Sequence, residues 1–234
     1  MIDYKSFEVL TFDCYGTIVD WEQGILATLR PVLEAHGVET ADAEVLQRYA
    51  GFEAAVEAGP YLRYADVLRR VLVEFGAYFG FAPTEDELAR FGRAVGDWPP
   101  FADSGDALRA LQARYRLAIL SNVDDDLFEL SRRKLGVDFD RVFTAQQIGS
   151  YKPDPRNFRY VLEHLGVPMA RVLHVAQSLF HDIKPAKALG LSTVRVNRRR
   201  GQAGAGATLP ADARPDAEVA DLRGLVSLVG LDPA

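Results

Sequence analysis

The stretch FEVLTFDCYG, residues 7–16, decides the fold. It opens with apolar and β-prone residues, reaches Asp13 and breaks at Gly16, as a strand buried on both faces does where it runs into a loop. Asp13 therefore stands at a strand's carboxyl end. From Trp21 to Asp97 the pattern changes: apolar residues recur at three and four spacing in ILATLRPVLEAHG, EVLQRYAGFEAAVEAG, YLRYADVLRRVLVEFGAYFG and EDELARFGRAV, predicting helices and no strand. WPPFAD, residues 98–103, carries two prolines and reads as an extended return segment. Beyond it, helices and strands alternate: SGDALRALQAR, YRLAILSN, DDLFELSRRKLG, RVFTAQ, DPRNFRYVLEHLG, RVLHVA, DIKPAKALG and STVRVN. The prediction is an α/β protein: a Rossmann-like, mostly parallel sheet with right-handed crossovers, built from residues 1–20 and 99–234, with a helical cap inserted at 21–98.

A chain of 234 residues is long enough to bury a substantial core in either body. With 48% hydrophobic and 26% charged residues, it matches an ordinary globular protein rather than a disordered or membrane-spanning one. The formal net charge is −6 and no long basic run occurs, which argues against nucleic acid as a partner. NRRRG, Asn197 to Gly201, reads as a solvated loop. GQAGAGATLPADARPDA reads as a flexible surface loop before a last strand and helix in EVADLRGLVSLVG. The single cysteine, Cys14, cannot form an intrachain disulfide, and Asp3, Lys5 and Glu8 interrupt the place of a secretory apolar run, so a cytoplasmic location is expected.

In a parallel sheet, ligands bind at the carboxyl ends of the strands. Asp13, Ser121, Lys152 and Gln177 all fall near such ends. A carboxylate at a strand tip can attack carbon or phosphorus, splitting one hard displacement into formation and hydrolysis of an ester; an Asp before Tyr-Gly-Thr also makes an ordinary turn. Ser121 and Asn122 offer hydroxyl and amide donors, or a helix N-cap. Thr17 can orient the Asp13 carboxylate. Pro153 restrains the backbone beside Lys152, whose ammonium could stabilise negative charge in the cleft. Asp182 opens DIKPAKALG, where carboxylates favour the helix dipole.

Taken together, FDCYGT, LSN, YKPDP and VAQSLFHDI resemble, in order and over nearly the whole chain, the four motifs of the haloacid dehalogenase superfamily. YGT and KPD look like its L-2-haloacid dehalogenase branch. The resemblance implies Asp13 as nucleophile, with Thr17, Ser121, Asn122 and Lys152 around it. It implies that Asp182 fixes Lys152 and positions the hydrolytic water. Phosphatases of the superfamily carry a second Asp two residues after the nucleophile, where this chain has Tyr15, and a magnesium-binding Asp where it has Gln177. Magnesium prefers charged oxygen ligands.

Both changes favour displacement of halide from a short 2-haloalkanoic acid, with inversion and without metal or other cofactor. Asp13, Asp182 and a carboxylate substrate would set three negative charges against Lys152 alone, so a further cation is expected from the cap. Arg48 is the first candidate to bind halide or substrate carboxylate, and Arg63 the alternate. Tyr15, Gln177 and His181 are expected at the substrate, and Tyr15, Trp21, Tyr61 and Phe180 either wall the reacting carbon or belong to the core, with Trp21 assigned to the core. Gln177, Leu179, Phe158 and His181 depart from the branch pattern and leave substrate preference open. Two alternatives stand beside this reading: a magnesium-dependent phosphatase of a small ester, and a catalytically silent protein that binds a small anion. The resemblance leaves a homodimer open, and the composition suggests no membrane partner.

Overall fold

The computed structural model describes residues 2–232. Six strands, β1 Val9–Phe12, β2 Arg116–Ser121, β3 Arg141–Thr144, β4 Val172–Ala176, β5 Ser192–Val196 and β6 Ala217–Val219, form one sheet. Its order is β3-β2-β1-β4-β5-β6 and every neighbouring pair is parallel. All four residues of β1 are buried, as its unbroken apolar run requires. Leu10 and Phe12 face one apolar cluster, and Val9 faces a second with Ala118, Leu120, Phe143 and Phe158. The chain leaves β1 for β2 on one side and later returns to β4 on the other. This reversal opens a crevice at the carboxyl end of β1, where Asp13 lies.

Helices α1 Trp21–Ala35, α2 Asp42–Glu57, α3 Tyr64–Phe79 and α4 Glu85–Gly92 intervene between β1 and β2. Side-chain caps fix the starts of α1 and α4: Asp20 accepts from the Gln23 N–H, and Thr84 with Glu87 completes a capping box on α4. The segments that leave and re-enter the sheet lie side by side, with Asp20 N–H on the Pro99 carbonyl at 2.8 Å and Phe101 N–H on that of Ile18 at 3.0 Å. Trp98, fully buried, lies flat against Gly24 of α1, where a Cβ would come within 2.1 Å of its ring.

After the return come α5 Ser104–Gln112, α6 Asp125–Leu135, α7 Ala145–Ile148, α8 Pro155–His164, α9 Lys184–Ala188 and α10 Leu222–Leu228. Two local expectations are corrected. RVFTAQ is strand only to Thr144, whose hydroxyl accepts from Gln147 N–H and starts α7 there. Asp182 does not open a regular helix; it sits in a wide π-type turn, Leu179–Ile183, and α9 begins after it with Pro185 in its first turn, where a missing N–H is tolerated. Among the described residues no helix is long and apolar enough to cross a membrane.

Candidate active site

Asp13 is buried at the end of β1 and fixed at both oxygens. The Thr17 hydroxyl donates to Oδ2 at 2.7 Å, and Lys152 Nζ donates to Oδ1 at 2.8 Å. Gly16, with φ +91°, turns the chain so that Thr17 folds back onto Asp13, a conformation that favours glycine. Gln177 N–H donates to the Thr17 hydroxyl at 2.9 Å, which leaves that hydroxyl's proton for the carboxylate.

Lys152 is the central cation and has no free donor. Its ammonium bonds Asp13, Asp182 Oδ1 at 2.7 Å and the Leu120 carbonyl at 3.0 Å. Burial alone would lower its pKa; the two carboxylates overrule that and hold it above the ordinary lysine value. Burial pushes Asp13 up, against the pull of Lys152. Asp182 is equally buried, yet Lys152 and a bond from His174 hold it down at about 2.

His174, in the middle of β4, links Asp182 to Thr11 of β1: Nε2 lies 3.1 Å from Asp182 Oδ1 and Nδ1 lies 3.0 Å from the Thr11 hydroxyl. A carboxylate only accepts, so the hydrogen bond between them is donated by Nε2. Asp182 Oδ2 is buried without a partner among the described residues, as is the Ser121 hydroxyl. Both residues line a narrow cleft over Asp13.

Several expected residues take other places. Asn122 clamps the Lys152 backbone, accepting its N–H at 2.7 Å and donating to its carbonyl at 3.0 Å. Its amide also reaches Glu57 Oε2 at 3.3 Å, so it has no donor left for a substrate. Gln177 acts through its backbone, and its side chain lines a separate cleft with Arg195 and Arg199. Arg48 does not reach the cleft: its guanidinium stacks 4.1 Å over the Tyr78 ring, with Nε 3.7 Å from Glu44. Arg63 is half exposed and pairs with Asp124 and Asp126. His181 does line the cleft, neutral because burial lowers its pKa to about 4, with Nε2 unpartnered among the described residues.

Of the aromatic candidates, Tyr15 and Trp21 line the cleft, whereas Tyr61 and Phe180 face neighbouring hollows. Trp21 is both core and wall, packed edge-on against Tyr49. NRRRG is solvated only at Arg200 and Gly201. Arg198 is nearly buried over Phe101, pairs with Asp103 at 2.8 Å and donates twice to the Thr17 carbonyl, at 2.9 and 3.1 Å.

The wall formed by α2 and α3 holds what the sequence reading missed. Glu53, Glu57 and Tyr64 line the cleft opposite Lys152. Glu53 accepts from the Tyr49 hydroxyl at 2.9 Å and the Tyr64 hydroxyl at 2.6 Å, both on Oε1. Burial raises Glu53 to about 7, and burial with the charge of Glu53 raises Glu57 well above the carboxylate range. The signal was present: Tyr49, Glu53 and Glu57 recur every fourth residue, one face of α2.

Magnesium was the cofactor of the phosphatase alternative. Among the described residues no three histidines, cysteines or carboxylates converge as metal ligands, and Asp13 and Asp182 each turn an oxygen onto Lys152 instead. The residues present do not fit a divalent cation.

Residues 7–190 match the family model of haloacid dehalogenase-like hydrolases. The chain belongs to that family. Within this hydrolase family it is 31% identical over 195 residues to the (S)-2-haloacid dehalogenase of Xanthobacter autotrophicus, covering 82% of this chain and 75% of that one. It is 27% identical over 209 residues to (S)-2-haloacid dehalogenase 4A of Burkholderia cepacia, covering 85% and 86%. The solved L-2-haloacid dehalogenase of X. autotrophicus with chloropropionic acid covalently bound superimposes with a TM-score of 0.78 at 26% identity, over 95% of this chain and 98% of the other.

Proposed function

We propose that this haloacid dehalogenase-like hydrolase is a metal-independent dehalogenase that displaces halide from a saturated carbon through an ester on Asp13. The observation that carries the reading is the buried chain Thr17–Asp13–Lys152–Asp182, with Tyr15, not an acid, two residues beyond the nucleophile. Thr17 and Lys152 hold the carboxylate oriented, and orientation of this kind is worth on the order of 7–11 kcal/mol of barrier in intramolecular reactions. An Asp13 oxygen forms a bond to carbon as the halogen leaves with the bonding pair, so no proton is needed at the leaving group. Water, oriented by the free Oδ2 of Asp182, then adds to the ester carbonyl. The acyl–oxygen bond breaks, the alcohol departs and Asp13 is regenerated with release of a proton. The relatives named as 2-haloacid dehalogenases support a halogen on such a carbon as the reacting group, and residues 21–98 serve as the cap that encloses it.

The test is halide release from small organohalides with and without EDTA, coupled to intact-protein mass spectrometry. Release that survives EDTA, with a transient adduct lost in Asp13→Asn, is expected. EDTA-sensitive release of phosphate from small esters would overturn the reading in favour of a phosphatase. Absence of both halide release and adduct across the panel would favour a binding protein.

A further inference from the structure

Attack by an Asp13 oxygen on carbon drives the halogen out on the far side, toward the wall formed by α2 and α3. Three side chains of those helices line the cleft, Glu53, Glu57 and Tyr64, and none is a cation. Lys152 spends its three donors on Asp13, Asp182 and Leu120, and Arg48 points elsewhere. A halide taking up charge beside two ionised glutamates would be repelled, and uncompensated buried charge is expensive. Glu53 is 3% exposed, and its partners are two phenols. Tyr49 and Tyr64 both donate to Oε1, and Oε2 has no partner among the described residues. That is the pattern of a carboxylic acid, whose carbonyl oxygen accepts and whose hydroxyl oxygen keeps a proton to donate. Burial holds that proton, raising Glu53 to about 7.

We propose that Glu53 is a further catalytic residue, its carboxyl O–H donating a hydrogen bond to the departing halide. The inference rests on the dehalogenase reading. A bond forms between an Asp13 oxygen and carbon, and the carbon–halogen bond breaks with its electron pair going to the halide. The proton stays on Glu53, because a halide is a weaker base than this carboxylate. Tyr49 and Tyr64 act as positioning residues that leave the proton on the other oxygen. The sheet side, where the Ser121 hydroxyl is free, is left for the rest of the substrate. Fluoride gains most, since it accepts hydrogen bonds more strongly than the heavier halides.

Ionisation of Glu53 removes the donor and sets a charge in the halide's path, so the alkylation step slows as pH rises through about 7. Its neighbours titrate elsewhere or with the opposite sign. Burial lifts the phenols of Tyr49 on α2 and Tyr64 on α3 well above their ordinary range, and raises Tyr15 and Tyr151 likewise. Lys152 stays charged between its carboxylates, while His181 is pushed to about 4 and Asp182 to about 2. Asp13, raised by burial, attacks only when ionised, so its titration makes the rate climb with pH. Glu57, raised by burial and by the charge of Glu53, would give the same sign as Glu53, and its own variant separates the two.

The test follows alkylation as the single-turnover halide burst, with 2-fluoro- and 2-bromopropionate, from about pH 6 to 9. The wild-type burst rate is expected to fall above about pH 7, approaching about tenfold per unit. Glu53→Gln, whose amide accepts from both phenols and still donates, should release halide at a rate that pH does not change. Glu53→Leu should lose about tenfold or more with fluoride, the range of a hydrogen bond to a charged group, and less with bromide. Glu57→Gln should keep the alkaline fall. If Glu53→Gln does not fold, Tyr64→Phe decides: without that donor the glutamate keeps its proton to higher pH, and the fall moves with it. A wild-type burst flat with pH overturns the inference, as does a Glu53→Leu burst as fast as wild type. So does a fall that survives Glu53→Gln, vanishes in Glu57→Gln or stays in place in Tyr64→Phe. In each case the dehalogenase reading stands. Absence of a halide burst and of an Asp13 adduct at every pH overturns that reading, and this inference with it.

Discussion

Lys152 carries the charge balance of the site. With a side chain 2% exposed it serves two buried carboxylates at once, and its removal leaves both uncompensated. Lys152→Met is expected to cost about 3–5 kcal/mol in addition to abolishing turnover, read as a shift in the urea midpoint. Glu53 gives a second test at this scale. Its pKa is raised from 4.5 to about 7 in the folded protein, so between those values the folded chain binds a proton that the unfolded chain has lost. Stability contributed by that proton is present below pH 4.5 and falls as pH rises to 7, by on the order of 3 kcal/mol. Glu53→Gln keeps an acceptor for the two tyrosines and removes the titration. Its urea stability should exceed that of wild type at pH 8 and match it more closely at pH 5. A wild-type profile flat across this window would show that Glu53 is not held protonated.

Between elements, the loop after β5 reaches the nucleophile loop through Arg198. Its guanidinium joins the Thr17 carbonyl to Asp103, and Asp103 accepts from Leu222 N–H at 2.7 Å, so three chain segments meet behind Asp13. Arg198→Ala should cost about 1.5–3 kcal/mol, the value of a hydrogen bond to a charged group, and lower kcat more than it raises KM because Thr17 loses its aim at Asp13. Circular-dichroism unfolding and steady-state halide release would check both. Arg198 was illegible in NRRRG, since three consecutive arginines look solvated until their partners are known. The strand-end residues were legible because each follows an apolar β run, and placing Asp13, Ser121 and Lys152 together needed only parallel topology. His174 escaped notice inside VLHVA: one polar residue in a buried strand signals a partner but does not say which.

Across the molecule, the cleft is assembled from strand tips on one side and helices α2 and α3 on the other, and where the insert rejoins the sheet Trp98 seats on Gly24 of α1. A methyl group at residue 24 would overlap the indole. Gly24→Ala is expected to cost about 1–3 kcal/mol, as overpacking does, and to lower turnover by shifting the acidic wall relative to Asp13. Thermal unfolding and kcat/KM together would reveal it, and unchanged values for both would show that α1 yields freely at this contact. The amino-acid sequence by itself determined the alternation of strands and helices, the helical insert and the place of Asp13, because those follow from local periodicity and from where apolar runs stop. It also determined the family, through motifs that stand in order along the chain. Only the tertiary structure decided which face of α2 meets the nucleophile. Arg48 and Glu53 lie roughly 140° apart around that helix at 3.6 residues per turn, and both are polar. The rotation that sends Arg48 onto Tyr78 and Glu53 into the cleft is set by packing against Trp21, Tyr64 and α3, contacts between residues distant in the chain that no local pattern records.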